Sequence, residues 1–290
     1  MKKLLAALLF FPVMAFSQTV VTCGSADDTP AINAAVSSNY AYVRLIGPCN
    51  VTSINLTNKQ GIILEGEGNL RTRLQPLTSG AQVIDLTGSS NITLRNFWLC
   101  GVCSPTVTPW SGIFAAQMQG NYNSDSIFIE HVRVDGKYQS AAFYNLGVAS
   151  STVTTSQFYN SNPSMVVLFT ANNYFGGTSA YQTVSTTQYV PSDWTFVGSE
   201  IHSLASGFGF FVGGSTAIRY YGGNIASSLY PVSLSGVAQS QTFNTNLIIF
   251  DGTTFYNDQD PTPPCAFQGT AGLPPVNFRA NEAPFPLTGC

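Results

Sequence analysis

The chain has 290 residues and a mass of 31.0 kDa, enough for one or two domains with a full core. Only 9% of its residues are Asp, Glu, Lys or Arg, while 44% are hydrophobic and 12% aromatic, a balance too apolar for a disordered chain. With 11 basic against 14 acidic residues and a pI near 5.2, it lacks the electrostatic footprint of a protein that binds nucleic acid or an anionic membrane surface.

The first segment pairs Lys2 and Lys3 with the apolar run Leu4 to Val13 and ends in Ala15-Phe16-Ser17, a small-x-small cleavage site before Gln18. Residues 1–17 therefore read as a secretory signal, because the apolar run is well short of the ~20 residues that span a bilayer. The remaining chain is expected outside the cytoplasm, secreted or periplasmic, at a cell or virion surface or free, and without a membrane anchor. Six cysteines follow, Cys23, Cys49, Cys100, Cys103, Cys265 and Cys290, and an even count in an exported chain favours disulfides. Their connectivity is open; proximity pairs Cys23 with Cys49, Cys100 with Cys103, and Cys265 with Cys290. Cys100-Gly-Val-Cys103 also has the spacing of redox and zinc motifs, but no βαβ pattern surrounds it and no second Cys or His pair completes a zinc site.

Asp27-Asp28-Thr29 opens a short helix over Pro30 to Val36. Beyond it, strand-like alternations recur in a frame, apolar-x-apolar-x-polar-or-Gly, starting at Ile62, Ile92, Ile127, Val153, Trp194, Ile218 and Leu247, with a mean period of about 31 residues. Shorter strands fill the gaps: Ile54–Leu56, Val83–Leu86, Ile113–Ala115, Ala142–Tyr144, Val166–Phe169, Phe208–Phe211 and Val232–Leu234. Two or three strands per irregular repeat predict an all-β chain wound as a parallel β-helix. The alternative is an antiparallel sandwich, which would need more hairpin dipeptides than Asp135-Gly136 and Asp251-Gly252.

The run Gly24-Ser-Ala-Asp27-Asp28-Thr29-Pro-Ala-Ile32-Asn-Ala-Ala35, then Tyr42-Val-Arg-Leu45 and Gly66-Glu-Gly68, resembles the opening of pectate-lyase-superfamily proteins, polygalacturonases and tailspikes among them. The resemblance covers roughly residues 22 to 256. It implies a single-stranded, right-handed parallel β-helix over residues 18–256 with an N-terminal capping helix, and a sugar-related role. It does not carry an activity with it, since the polygalacturonase motifs are absent: the chain's one Asp-Asp is in the capping segment, and Asn244-Thr245-Asn246 lacks the acid. Residues 257–290, with Pro261, Pro263, Pro264, Pro274, Pro275, Pro284 and Pro286, are expected as an irregular tail covering the last coil.

Candidate chemistry comes from the repeat. The fourth frame position should point outward and stack as Glu65, Arg95, Glu130, Ser156, Val197, Tyr221 and Phe250, so Glu65 and Glu130 flank Arg95. An ion ladder of that kind lowers both carboxylate pKa values, whereas a general acid needs one raised. Glu130, His131, Arg133 and Asp135 form the densest polar constellation, and the candidate catalytic set is Glu130, Asp135, Glu65 and His131, its acids on one wall. Candidate sugar-binding residues are Tyr174, Tyr181 and Tyr189 in an inserted loop, Trp110, and the cations Arg95 and Arg133. No metal site or other cofactor is expected; calcium binding finds no supporting carboxylate cluster. The expected function is binding or cleaving an extracellular polysaccharide, neutral rather than polyuronate given the scarcity of charge. A non-catalytic adhesin, appendage subunit or viral spike, self-associating as a homo-oligomer, is the alternative.

Overall fold

The structure, a computed structural model, describes residues 18–117, 125–170, 191–205, 207–213, 216–227, 229–235, 246–256, 267–269, 277–279, 281–284 and 286. Through them the chain winds over three sheets in which every strand pairing is parallel. The first sheet holds, in order, Gln18–Thr22, Tyr42–Ile46, Ile63–Glu65, Ile92–Arg95, Ile127–Glu130, Ser151–Thr154, Ser192–Val197, Thr216–Tyr221, Asn246–Asp251 and Asn277–Arg279. The second holds Cys49–Val51, Arg73–Pro76, Trp98–Cys100, Arg133–Gly136, Gln157–Asn160, Glu200–Ser203, Asn224–Ala226 and Thr254–Tyr256. The third holds Ile54–Asn55, Gln82–Asp85, Ser111–Ala116, Ala141–Leu146, Met165–Thr170, Phe208–Gly213, Tyr230–Ser235 and Phe267–Gly269. From Tyr42 to Gly269 each turn of the chain contributes one strand to each sheet in that sequence, which is a right-handed parallel β-helix.

Alternation of side chains sends every second residue of a strand inward, and these residues stack from coil to coil. In the first sheet the stack runs Val43, Leu64, Leu94, Ile129, Val153, Phe196, Tyr220, Phe250, Phe278. The second contributes Leu74, Leu99, Val134, Phe158, Ile201, Ile225 and Phe255, all fully buried. The core therefore changes from aliphatic in the early coils to aromatic in the later ones. There Phe196 stacks on Tyr220 at 5.5 Å and Phe250 on Phe278 at 5.6 Å. The strands that fill the gaps in the frame form the third sheet, as the alternation predicts; the second sheet was not foreseen as a separate set.

Two frame assignments shift. Ser151 occupies the inward column between Ile127 and Trp194, so the outward residue of that coil is Thr154 and not Ser156, which is buried. Ser151 is tolerated inside because its hydroxyl accepts from Ile127 N (2.9 Å) and donates to Ala149 O (2.8 Å), while the large Trp194 fills the next rung. In the coil after Tyr221, Phe250 points inward and Asp251 outward, a one-residue slip that the unbroken apolar run Leu247 to Phe250 conceals.

The helix covers Thr29–Ala35, and its Ile32 is fully buried, with Val36 following it into the core. Cys23–Cys49 and Cys100–Cys103 are disulfide-bonded, as proximity predicts. Cys265 and Cys290, and the signal read in residues 1–17, lie outside the described residues. Within the proline-rich segment, Phe267–Gly269 pairs onto the third sheet and Asn277–Arg279 onto the first, so the segment continues the winding.

Candidate functional site

Every first-sheet strand in the middle of the molecule ends in a residue with left-handed backbone: Asn96, His131, Thr155, Gly198, Gly222 and Gly252, with φ between 42° and 64°. That conformation favours Asn and Gly and turns the chain sharply into the second sheet. Two residues further on, the side chain always points out of the second sheet, giving the column Trp98, Arg133, Gln157, Glu200, Asn224, Thr254. A neighbouring outward column carries Asp135, Tyr159, His202 and Tyr256, with Ala226 between the last two.

Across these columns runs an unbroken ladder of cations and rings. Arg73 and Arg133 lie over the two neighbouring rungs of Trp98, 5.1 and 4.7 Å from its ring centroid, and Arg133 also lies 5.3 Å from Tyr159. Tyr159 meets His202 edge-to-face at 4.9 Å, and His202 meets Tyr256 at 5.3 Å, with Tyr256 Oη 2.8 Å from His202 Nε2. Each cation–ring contact contributes about 0.5–1 kcal/mol at such half-exposed sites. Two carboxylates complete the face. Glu200 accepts hydrogen bonds from Tyr159 Oη (2.9 Å) and Gln157 Nε2 (3.1 Å). Asp135 Oδ2 is held by Arg133 Nε and Nη2, each at 2.9 Å.

Asp135 is nearly sealed from solvent, at 2% exposure, although it points outward. The short 3₁₀ turn Gly101–Cys103, tied by the Cys100–Cys103 disulfide, packs against its strand. Gly101 permits the approach, since a Cβ there would meet Asp135 O at 2.7 Å and Gly136 Cα at 2.8 Å. Burial raises the Asp135 pKa, and this outweighs the opposing pull of the Trp98 indole, Arg133 and the Val102 backbone. Asp135 Oδ1 and Trp98 Nε1 are both buried and outside hydrogen-bond geometry. Burial and the adjacent Glu200 likewise raise the Tyr159 pKa, keeping its hydroxyl a donor.

The remaining predicted residues lie elsewhere. Glu65, Arg95 and Glu130 occupy successive rungs of the first sheet, as the frame predicts. Asp135, expected on the same wall, lies on the second sheet, because the chain turns at His131 between the two. Glu65 accepts from Tyr42 Oη, from Arg95 Nη2 at 2.9 Å and from Asn96 Nδ2 at 3.2 Å. Burial works against its ionisation, but those three donors prevail and lower its pKa, as the ion ladder requires and opposite to a general acid. His131 is exposed and Glu130 half-buried, their side chains 3.9 Å apart, with His131 in the turn position. Trp110 packs on Phe114 (5.4 Å) and Tyr144 (5.2 Å) over the outer side of the third sheet. Tyr174, Tyr181 and Tyr189 lie outside the described residues.

No group of three or more His, Cys, Asp or Glu able to hold a metal ion occurs among the described residues. A separate cavity of about 730 Å³ lies between the first strand and the capping helix, lined by Thr19, Val21, Ala31, Ala35, Ser38 and Tyr40 and by no carboxylate. The second-sheet face was largely missed from sequence: Trp98, Tyr159, Glu200 and Tyr256 were not candidates. The fixed spacing of two residues after each left-handed turn is the signal that would have found the first column.

No protein-family model matches the chain, and no curated protein does. Solved structures of similar winding include an open reading frame product of Geobacillus virus E2, at 14% identity and TM-score 0.49, over 91% of this chain and 60% of that one. The A-module of an Azotobacter vinelandii mannuronan C-5 epimerase matches at 16% identity and TM-score 0.44, over 90% and 92%. An endo-xylogalacturonan hydrolase of Aspergillus tubingensis matches at 12% identity and TM-score 0.39, over 92% and 93%. In fold, the chain is a right-handed parallel β-helix.

Proposed function

We propose that this is an extracellular protein that binds polysaccharide along the outer face of the second sheet. The observation that carries the reading is the ladder Arg73–Trp98–Arg133–Tyr159–His202–Tyr256, whose members are all partly exposed and edged by Gln157 and Glu200. Sugars are recognised by aromatic surfaces together with amide, guanidinium and carboxylate groups, and a row of them running along rungs ~4.8 Å apart suits an extended sugar chain. Two arginines are balanced by Asp135 and Glu200, which favours a neutral glycan over a polyuronate. The disulfides Cys23–Cys49 and Cys100–Cys103 support an oxidising, extracellular location, with the signal read in residues 1–17 as the route to it. A screen of the full protein against arrayed neutral and acidic glycans tests this: retention of neutral polysaccharides is expected, and retention of none contradicts it.

A cleaving activity is the second reading, and one observation favours it. Asp135 is a buried carboxyl whose pKa is raised, the direction a general acid needs. Glu130→Gln leaving cleavage intact while Asp135→Asn abolishes it would place any such chemistry on the second sheet.

A further inference from the structure

The outer face of the first sheet carries a second pattern, separate from the glycan reading. Its two middle rungs are uncharged, Thr152 and Thr154, then Thr195 and Val197, flanked by Phe128/Glu130 on one side and Arg219/Tyr221 on the other. Phe128, Val197 and Tyr221 are 43%, 40% and 37% exposed, three of the larger apolar side chains in solvent. Charge increases toward both ends, and the two ends are complementary. Toward the N-terminus the rungs read Thr93/Arg95 and Ile63/Glu65; toward the C-terminus they read Ile249/Asp251 and Asn277/Arg279.

We infer that this face is an antiparallel dimer interface, joining two copies of the chain about a two-fold axis that lies along the strands between the Thr152 and Thr195 rungs. Such an axis keeps each outward column and reverses the order of rungs. Thr152 then faces Thr195, and Thr154 faces Val197. Phe128 faces Arg219, a cation for its ring, and Glu130 faces the Tyr221 hydroxyl. Arg95 faces Asp251, and Glu65 faces Arg279, each pair made twice. The other face-to-face two-fold, along the helix axis, sets each rung against itself and makes no opposite-charge pair, so the charge pattern selects the antiparallel arrangement. Eight rungs at ~4.8 Å and a strip about 14 Å wide bury roughly 540 Å² from each copy, below the ~800 Å² of a standard interface. The dimer is accordingly concentration-dependent, forming at roughly 10–100 µM.

Sedimentation velocity on the full protein across that range, at low and high salt, reads the association directly. A monomer–dimer equilibrium weakened by salt is expected; a monomer at every concentration overturns the inference. Thr154→Lys with Val197→Lys crowds four ammonium groups at the axis and should weaken association by at least about tenfold. A circular dichroism melt of that variant separates lost association from lost folding. For the arrangement itself, Phe128→Cys protein mixed with Arg219→Cys protein should cross-link between the two, with neither cross-linking to itself. Self-linking of Phe128→Cys protein would show a different packing. Both sets of variants lie on the first sheet, so they leave the glycan reading untouched whichever way they fall.

Discussion

Four groups donate to the carboxylate of Asp28: Gly24 N, Ser25 N, Ser25 Oγ at 2.6 Å and Asn50 N at 2.9 Å. One side chain thus ties the opening loop to the second strand of the first coil, and this gives the Asp-Asp-Thr motif its physical reason. Burial opposes the charge, but these donors prevail and hold the Asp28 pKa below its ordinary value of 3.8. Asp28→Ala strands several donors and should cost about 1–3 kcal/mol, read as a fall in denaturation midpoint. Asp28 and Glu65 both have lowered pKa values, so their stabilisation is complete above the ordinary values of 3.8 and 4.5 and is lost as pH falls below them. Asp135 is raised and acts with the opposite sign, partly offsetting that loss. A melting temperature that drops on acidification below about pH 4.5, with the drop blunted in Asp28→Asn/Glu65→Gln, is the expected profile; an unchanged drop in the double variant would assign the acid sensitivity to other groups.

At the scale of elements, legibility followed the length of the alternating run. First-sheet strands such as Ile127–Glu130 and third-sheet strands such as Met165–Thr170 present two or more inward apolar residues, and both sets were readable. Most second-sheet strands carry a single inward apolar residue, Leu99 or Ile201 for example, so they have no apolar period of their own to detect. The candidate ladder sits on those strands, and for that reason most of it, Arg133 excepted, escaped the sequence reading, while Glu65 and Glu130 on the first sheet did not. Gly66 marks the turn where a Cβ would meet Asn96 O at 2.4 Å and Thr72 Cβ at 2.7 Å. Gly66→Ala should therefore destabilise by about 1–3 kcal/mol, while Gly68→Ala, whose Cβ would meet nothing within 4 Å, carries only the strain of its positive φ. In the aromatic half of the core, Phe169 touches Phe143, Trp194, Phe196 and Phe210. Phe169→Ala should cost about 3–5 kcal/mol by urea denaturation.

The whole molecule is a stack in which each coil is supported by its neighbours, so stability is a sum along one axis and the ends are its weak points. Cys23–Cys49 closes a span of 26 residues at the N-terminal end. Removing it should cost roughly 3 kcal/mol and raise hydrogen exchange in the first coils before the middle ones. The low charge of the chain acquires a place in this picture: the two middle outward rungs of the first sheet hold only Thr and Val, and on the second sheet arginines are balanced by carboxylates. The second-sheet ladder is the proposed glycan-binding face. Its most direct measurement is the affinity, by isothermal titration with a retained neutral oligosaccharide, of Trp98→Ala and Tyr159→Ala beside the first-sheet control Thr152→Ala. A loss of about tenfold or more in both ladder variants with an unchanged control is predicted; equal affinity in all three proteins would contradict it.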